Sequence, residues 1–153
     1  MLEDVFMDVY SKFKLHFYKK MFEQIQTRET SLTTVETFCV EVIHELGSPT
    51  VNEFASFINV TAPNAAYKVN SLVQKGYIER IQSKDDKREY HLQVTNKYYK
   101  YYNLSQNYVH EVVGRMRENL TPEELDVMER CMNQMSNELM PEVTLPAEEQ
   151  KSM

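Results

Sequence analysis

The chain has 153 residues, enough for one domain with a sizeable core or for a small lobe carried on dimerisation helices, and the second arrangement is favoured. No run of about eighteen apolar residues is present, which excludes a membrane-spanning helix, and three glycines argue for a mostly helical fold. The formal charge of −6 is the wrong sign for a chain that attracts polyanions through its overall charge, so the distribution of charge has to decide.

The opening MLEDVFMDVY is acidic where a secretory signal would be basic, so a cytoplasmic location is expected. Residues Leu2 to about Gln26 carry Leu2, Val5, Phe6, Val9, Phe13, Phe17, Met21 and Ile25 at helical spacing, the pattern of a long amphipathic helix. Its aromatic stripe is too long for a small lobe to cover, which places Val5, Phe6, Val9 and Phe13 against a second subunit.

Thr33-x-x-Glu36 is a capping box that opens a second helix, with Phe38, Val42, Ile43 and Leu46 as its buried face and Gly47 as its end. Ser48 and Pro49 break the chain. Thr50-x-x-Glu53 then caps a short third helix with Val51, Phe54, Ala55 and Ile58 inward. Asn59 to Thr61 is a tight turn, so the third helix and the one that follows form a helix-turn-helix pair.

That fourth helix is the centre of the reading. Thr61 is a natural N-cap, Pro63 sits in the first turn where a missing N–H costs little, and Gly76 supplies a left-handed residue at the end. Ala62, Ala65, Val69, Leu72 and Val73 form a narrow apolar stripe. Opposite lie Pro63, Asn64, Tyr67, Asn70, Ser71 and Gln74, with Lys68 at the edge. An ordinary solvent-facing helix is usually rich in Glu and Lys, whereas this face offers amides, hydroxyls and a phenol suited to base edges. Tyr77 to Ile81 then reads as a strand, Ser83 to Lys87 as a charged turn, and Glu89 to Val94 as a second, alternating strand. A helix followed by a basic hairpin is the layout of a winged helix-turn-helix, with the helix in a major groove and the hairpin tip on flanking backbone or minor groove.

Charge fits that layout locally. From Thr50 to Thr95 there are six bases (Lys68, Lys75, Arg80, Lys84, Lys87, Arg88) and five acids (Glu53, Glu79, Asp85, Asp86, Glu89), a balance of +1 that leaves −7 elsewhere. Between Thr61 and Ile78 stand two lysines and no acid. An acidic scaffold restrains non-specific binding and makes specific binding sensitive to salt.

Thr95 caps a helix expected over about Asn96 to Glu118, beginning with the string KYYKYYN. Five of the ten tyrosines fall between Tyr98 and Tyr108, a cluster fit for a subunit interface or for the wall of a ligand pocket. Thr121-Pro122-Glu123-Glu124 opens the last helix. Leu125, Met128, Met132, Met135 and Leu139 recur three and four apart, the spacing of a coiled-coil seam, which predicts a helical dimer. The tail PEVTLPAEEQKSM has two prolines and no apolar periodicity and is expected to be disordered.

The fold class is therefore mostly α with a small β-wing. A dimerisation helix covers 1–32, a winged helix-turn-helix lobe 33–95, further dimerisation helices 96–140 and a disordered tail 141–153.

These residues resemble the MarR family of bacterial winged-helix regulators over nearly the whole chain. The family's wing pattern is D-x-R, five residues, then Leu-Thr; here it reads Asp86-Lys87-Arg88, EYHLQ, Val94-Thr95. LVQKGYIER, SLTTVETF and LTPEEL match in kind as well. The resemblance implies a homodimeric transcription factor, a repressor on a palindromic operator, with the first, fifth and sixth helices as the dimer platform. By that likeness Asn64 and Tyr67 face bases, Thr61, Pro63, Lys68, Asn70 and Ser71 lie alongside, and Lys84, Lys87 and Arg88 serve the wing. Arg88 either forks into the minor groove or bridges to Asp86 and holds the wing in shape.

The chain departs from the family at Tyr98, where many members carry glycine, and at Tyr67, where an arginine is common. Bidentate guanine readout by an arginine then cannot come from that helix, and shape and A·T features are expected to contribute. The resemblance also implies a small-molecule effector bound between platform and lobe. Likeness to regulators of fatty-acid synthesis points to a lipophilic, acyl-type molecule. Three functional readings follow: a DNA-binding repressor, a metal- or redox-responsive version of it, and a winged helix used for protein contact.

No GxSxG, Walker-type glycine loop or HExxH is present, so no enzyme and no cofactor are expected. His16, His44, His110 and Glu111 form no i, i+4 pair, so no metal site is expected, and structural roles suit these histidines. Cys39 and Cys131 lie in predicted helices without CxxC spacing and fit reduced core thiols; Cys39 has no neighbouring base to activate it.

Overall fold

The computed structural model describes residues 1–26, 32–102 and 104–145. The helices are α1 (Leu2–Gln26), α2 (Thr34–Glu45), α3 (Val51–Phe57), α4 (Ala62–Gln74), α5 (Asn96–Tyr102), α6 (Leu104–Asn119) and α7 (Pro122–Gln134), and β1 (Ile78–Gln82) pairs antiparallel with β2 (Tyr90–Val94). The segment expected as one helix after the wing is helical on both sides of residue 103, which lies outside the described residues. So do 27–31, and of the tail expected to be disordered, 146–153; residues 141–145 are exposed and irregular. Among the described residues no helix is long and apolar enough to cross a membrane.

Contacts divide the described residues into two compact units, one of Met1–His16 with Leu104–Thr144 and the other of the remaining described residues. In the first, the Tyr108 ring lies flat on His16 with centroids 3.6 Å apart and meets the edge of Phe13 at 5.3 Å. Thr121 and Glu124 exchange side-chain and backbone hydrogen bonds as a capping box, and Pro122 occupies the first turn, as expected. Neither α7 nor the turn after it contains a buried residue. Leu125, Met128 and Met135 are half-buried while Met132 and Leu139 stand exposed. The helix does not run on regularly through Leu139, because Met135–Leu139 is a π-helical turn whose wider i→i+5 winding carries Leu139 off the three-four seam. Cys131 is exposed, not a core thiol, because α7 contains no buried residue.

The second unit holds the core. Leu32, Val40, Ile43, Phe54, Ala55, Ala65, Val69, Leu72, Tyr77, Ile78, Leu92, Val94 and Tyr98 form one buried cluster. α4 contributes Ala65, Val69 and Leu72, its i, i+4, i+7 positions. Ala62 is exposed in the first turn and Val73 is only half-buried, so the buried stripe is narrower than the spacing implied. Phe38 is likewise exposed; Thr37, Val40 and Ile43 take the inward face of α2. Thr33 caps α2 in a full capping box, and the hydroxyls of Thr50 and Thr61 accept from Glu53 N at 3.1 Å and Asn64 N at 3.4 Å. Each such cap stabilises its helix by about 1 kcal/mol.

The turns close as their residues allow. Gly47 (φ 63°) and Gly76 (φ 80°) adopt the left-handed conformation that a side chain disfavours, and Asn59 (φ 55°) does so in the turn between α3 and α4. β2 is anchored at its root as well as along β1. Leu92 N–H donates to Pro49 O at 2.8 Å, and Thr50 forms an isolated bridge with His91. His91 Nδ1 donates to Ser48 O at 2.8 Å; a carbonyl can only accept, which fixes the ring's tautomer.

Tyr98, placed in a dimer platform by the sequence pattern, belongs to the lobe core at 1 % exposure. Its hydroxyl donates to Glu41 Oε1 at 3.1 Å. The start of α5 is tied to the end of α4: Thr95, expected as a helix cap, donates its hydroxyl to Gly76 O at 2.6 Å, and Lys97 Nζ donates to Lys75 O at 2.8 Å.

Candidate nucleic-acid interface

The outward face of α4 is the polar surface its sequence implied. Thr61, Pro63, Asn64 and Tyr67 are exposed, with Tyr67 at 78 %, and Asn70 and Gln74 continue the face towards the C-terminal end. Lys68 is half-buried at the edge. The spacing of these positions leaves Ala65, Val69 and Leu72 to hold the helix against the core while the amides and the phenol point away. A rigid helix with a fully buried back is a precise mount for side chains that must meet a partner in register.

Two of the expected contacts are engaged within the lobe. Ser71 is half-buried and its hydroxyl donates to Glu36 Oε1 at 2.5 Å, so it braces α4 against α2. Asn70 is exposed, and its Oδ1 accepts from Arg80 Nη2 of β1. Arg80 was not among the expected site residues. The only sequence signal for it is its parity on β1: it shares a strand face with Ile78 and lies opposite Leu92, both buried.

The hairpin tip is shaped by short polar side chains. Asp86 Oδ1 accepts from Arg88 N at 2.9 Å and from Arg88 Nε at 3.3 Å. Ser83 Oγ accepts from Asp85 N at 3.2 Å and Asp86 N at 3.4 Å, and Gln82 Nε2 donates to Lys87 O at 2.6 Å. This is the Asx-type turn chemistry that lets Asp and Ser fix a loop. Arg88 thus makes the bridge to Asp86 while its side chain remains 92 % exposed. An ion pair so open to water holds little energy, about 0–1 kcal/mol, and leaves the guanidinium free to exchange partners. Lys84 and Lys87 are exposed, and among the described residues neither is in an ion pair. A cleft of about 320 Å³ separates the wing base from the start of α3, bordered by Arg80 and Arg88 but also by Asp86 and Glu89.

Two titratable groups behind this surface are shifted. Burial pushes the Glu36 carboxyl up, but hydrogen bonds from Lys75, Ser71 and Thr33 outweigh it and hold the group down at about 2. Burial raises Glu41 to about 8, with the Tyr98 hydrogen bond opposing and Glu45 adding to the rise. Burial pushes the Cys39 thiol up, against the opposing charge of Lys68, and so disfavours the thiolate. His44 is held between ring contacts with Tyr98 and Tyr99. Among the described residues no group of three or more His, Cys, Asp or Glu is placed to hold a metal.

Residues 32–90, which contain α2 to the start of β2, match the sequence model of the MarR family. The uncharacterized HTH-type transcriptional regulator YpoP of Bacillus subtilis (strain 168) is 30% identical over 82 residues, which take in 50% of this chain and 58% of that protein's length. FabT of Streptococcus pneumoniae, solved in complex with DNA, is similar in structure with a TM-score of 0.56 and 22% identity over 94% of this chain and 100% of that one. A MarR family protein from Bacillus stearothermophilus is similar with a TM-score of 0.61 and 15% identity, covering 90% of this chain and 92% of that one. At these identities the structural likeness is one of fold.

Proposed function

We propose that the chain, whose residues 32–90 match the MarR family model, is a transcriptional regulator of that family, a repressor, that binds double-stranded DNA sequence-specifically as a homodimer. The observation that carries this reading is the outward face of α4. It is free of acids, presents Pro63, Asn64 and Tyr67 to solvent, and sits next to a wing whose Lys84 and Lys87 are exposed. Asn64 and Tyr67 read base edges in the major groove; Thr61, Pro63, Lys68 and Asn70 line the approach, and the wing's Lys84, Lys87 and Arg88 meet flanking phosphates. The fold likeness to FabT, a protein solved with DNA bound, supports the same assignment.

Dimerisation is supported by the first unit, where Leu2, Val5, Phe6 and Val9 of α1 are exposed and no residue of α7 is more than half-buried within its own chain. A stripe of this kind on an isolated chain marks an interaction surface. A dimer would set two copies of α4 about one helical turn apart on a palindromic site. The effector is a small lipophilic molecule of acyl type, a proposal that rests on the wing-region resemblance.

Selection of bound duplexes from the DNA upstream of the chain's own coding sequence, followed by mobility-shift titration, tests the reading. A two-fold-symmetric site with half-sites roughly 10 base pairs apart is expected. Binding no tighter than to random duplex would overturn it. A site that tolerates loss of Asn64, Tyr67, Lys84 and Lys87 together would instead assign the winged helix to protein contact. Acyl thioesters titrated into the same assay test the effector; release of the duplex is expected, and unchanged binding would remove that class.

A further inference from the structure

Arg80 and Asn70 meet at the corner where the hairpin leaves the recognition helix. Strand alternation puts Arg80 on the same face of β1 as Ile78 and across from Leu92, both buried, so its stem lies on the lobe side of the hairpin. Its guanidinium reaches α4 and its Nη2 donates to Asn70 Oδ1. A guanidinium has donors only, so chemistry itself fixes the orientation of this amide: the oxygen faces Arg80 and the amine is turned the other way.

We propose that Arg80 is a positioning residue that sets the base preference of Asn70, by holding the amide oxygen against the wing strand and leaving only the amine to the groove. This rests on the DNA-binding reading above. A free asparagine recognises adenine bidentately, its oxygen accepting from N6 and its amine donating to N7. With the oxygen engaged in a charge-assisted bond, the stronger kind, that pairing is lost. The amine then reads acceptors alone: guanine presents two side by side, O6 and N7, and thymine presents O4, whereas adenine presents N7 only beside an N6 donor that opposes the amine. Asn70 lies three residues beyond Tyr67, on the same outward side of α4 and exposed, so its amine is presented to the surface that meets the duplex. The arrangement supplies a guanine- or thymine-directed donor on a recognition helix that carries no arginine.

The test is selection from a library of randomised duplexes by the full chain, run in parallel for the parent, Asn70→Ala, Arg80→Met and the double variant. At one position in each half-site the parent is expected to favour guanine or thymine over adenine by roughly tenfold. Asn70→Ala loses that preference at that position only. Arg80→Met frees the amide and brings adenine at least to parity there, while the double variant matches Asn70→Ala because Arg80 acts through Asn70. Both side chains are exposed, and thermal unfolding of each variant checks that the fold is kept. Should Arg80→Met not fold, Arg80→Lys, which keeps the charge but not the planar fork, is expected to relax the same position in part. A selected motif in which Arg80→Met weakens binding uniformly and every preference survives would overturn the proposal, leaving DNA binding intact. Adenine already preferred by the parent at the position that Asn70→Ala relaxes would do the same. If the parent enriches no sequence, the DNA-binding reading itself falls, and this inference with it.

Discussion

Lys75 Nζ stands 2.9 and 2.8 Å from the two carboxylate oxygens of Glu36, a residue 39 positions earlier in the chain. The same carboxylate accepts from Ser71 Oγ and from Thr33 N, so one acid joins the first turn of α2 to the last turns of α4. It orients α4 from behind.

Glu36 therefore contributes to stability in a defined pH window. Its folded value of about 2 lies below the ordinary 4.5, so the contribution is present above about pH 4.5 and is lost as pH falls towards 2. The difference corresponds to about 3 kcal/mol. Glu36→Gln is expected to unfold at lower urea at pH 7 and to lose the acid limb of the stability profile; an unchanged limb would show that Glu36 is not the group responsible.

Glu41 has the opposite sign. Burial raises it to about 8, so stability is full below about pH 4.5 and declines as pH rises through 8. Glu41→Gln keeps an acceptor for the Tyr98 hydroxyl and removes the buried charge. It is expected to be more stable than the parent at pH 8, by on the order of 2–4 kcal/mol, and to match it at pH 4.5. Urea titrations at the two pH values make the comparison.

Asn64→Ala and Tyr67→Ala are each expected to weaken binding to the selected duplex about tenfold. Both side chains are exposed, so the unfolding free energy should stay within about 0.5 kcal/mol of the parent. A loss of stability matching the loss of binding would mean that the face is structural.

Lys84→Ala with Lys87→Ala is expected to leave the selected sequence unchanged. The slope of log K against log salt should fall by about 1 for each phosphate that is no longer neutralised. An unchanged slope would remove the wing lysines from the interface.

Phe6 and Val9 each stand 49% exposed on α1. Phe6→Glu with Val9→Glu sets charges where a dimer would bury apolar surface, and sedimentation equilibrium is expected to show monomers in place of dimers. A dimer of undiminished stability would place the interface elsewhere.

What the sequence made legible was local. Thr33, Thr50, Thr61 and Thr121 cap their helices because a hydroxyl three residues before an N–H needs no distant partner. The left-handed glycines and the presence of the hairpin follow from equally short-range rules. What it concealed depended on neighbours far along the chain. Ser71 has the position of a groove-facing hydroxyl, yet Glu36, 35 residues away, accepts its hydrogen bond. Phe38 has the spacing of a core residue, yet Thr37 takes the inward place. Tyr98 has the look of interface among so many tyrosines, and only the approach of α5 to α2 shows it as core. Arg80 has strand parity as its one local signature, and that does not show its role, which is defined by Asn70 ten residues back.

The anchoring of β2 to Pro49 and Thr50 closes a circuit of backbone that runs from the root of α3 through α4, out along β1 and home along β2. A tug on the wing is thereby delivered to the first turn of α3, whereas the loop at 83–89 overhangs the circuit and can bend without moving it. Amide exchange should divide the hairpin accordingly, with Leu92 among its slowest protons and Lys84 among its fastest. A finger built this way can bend at its tip while its knuckle keeps the helix pair square.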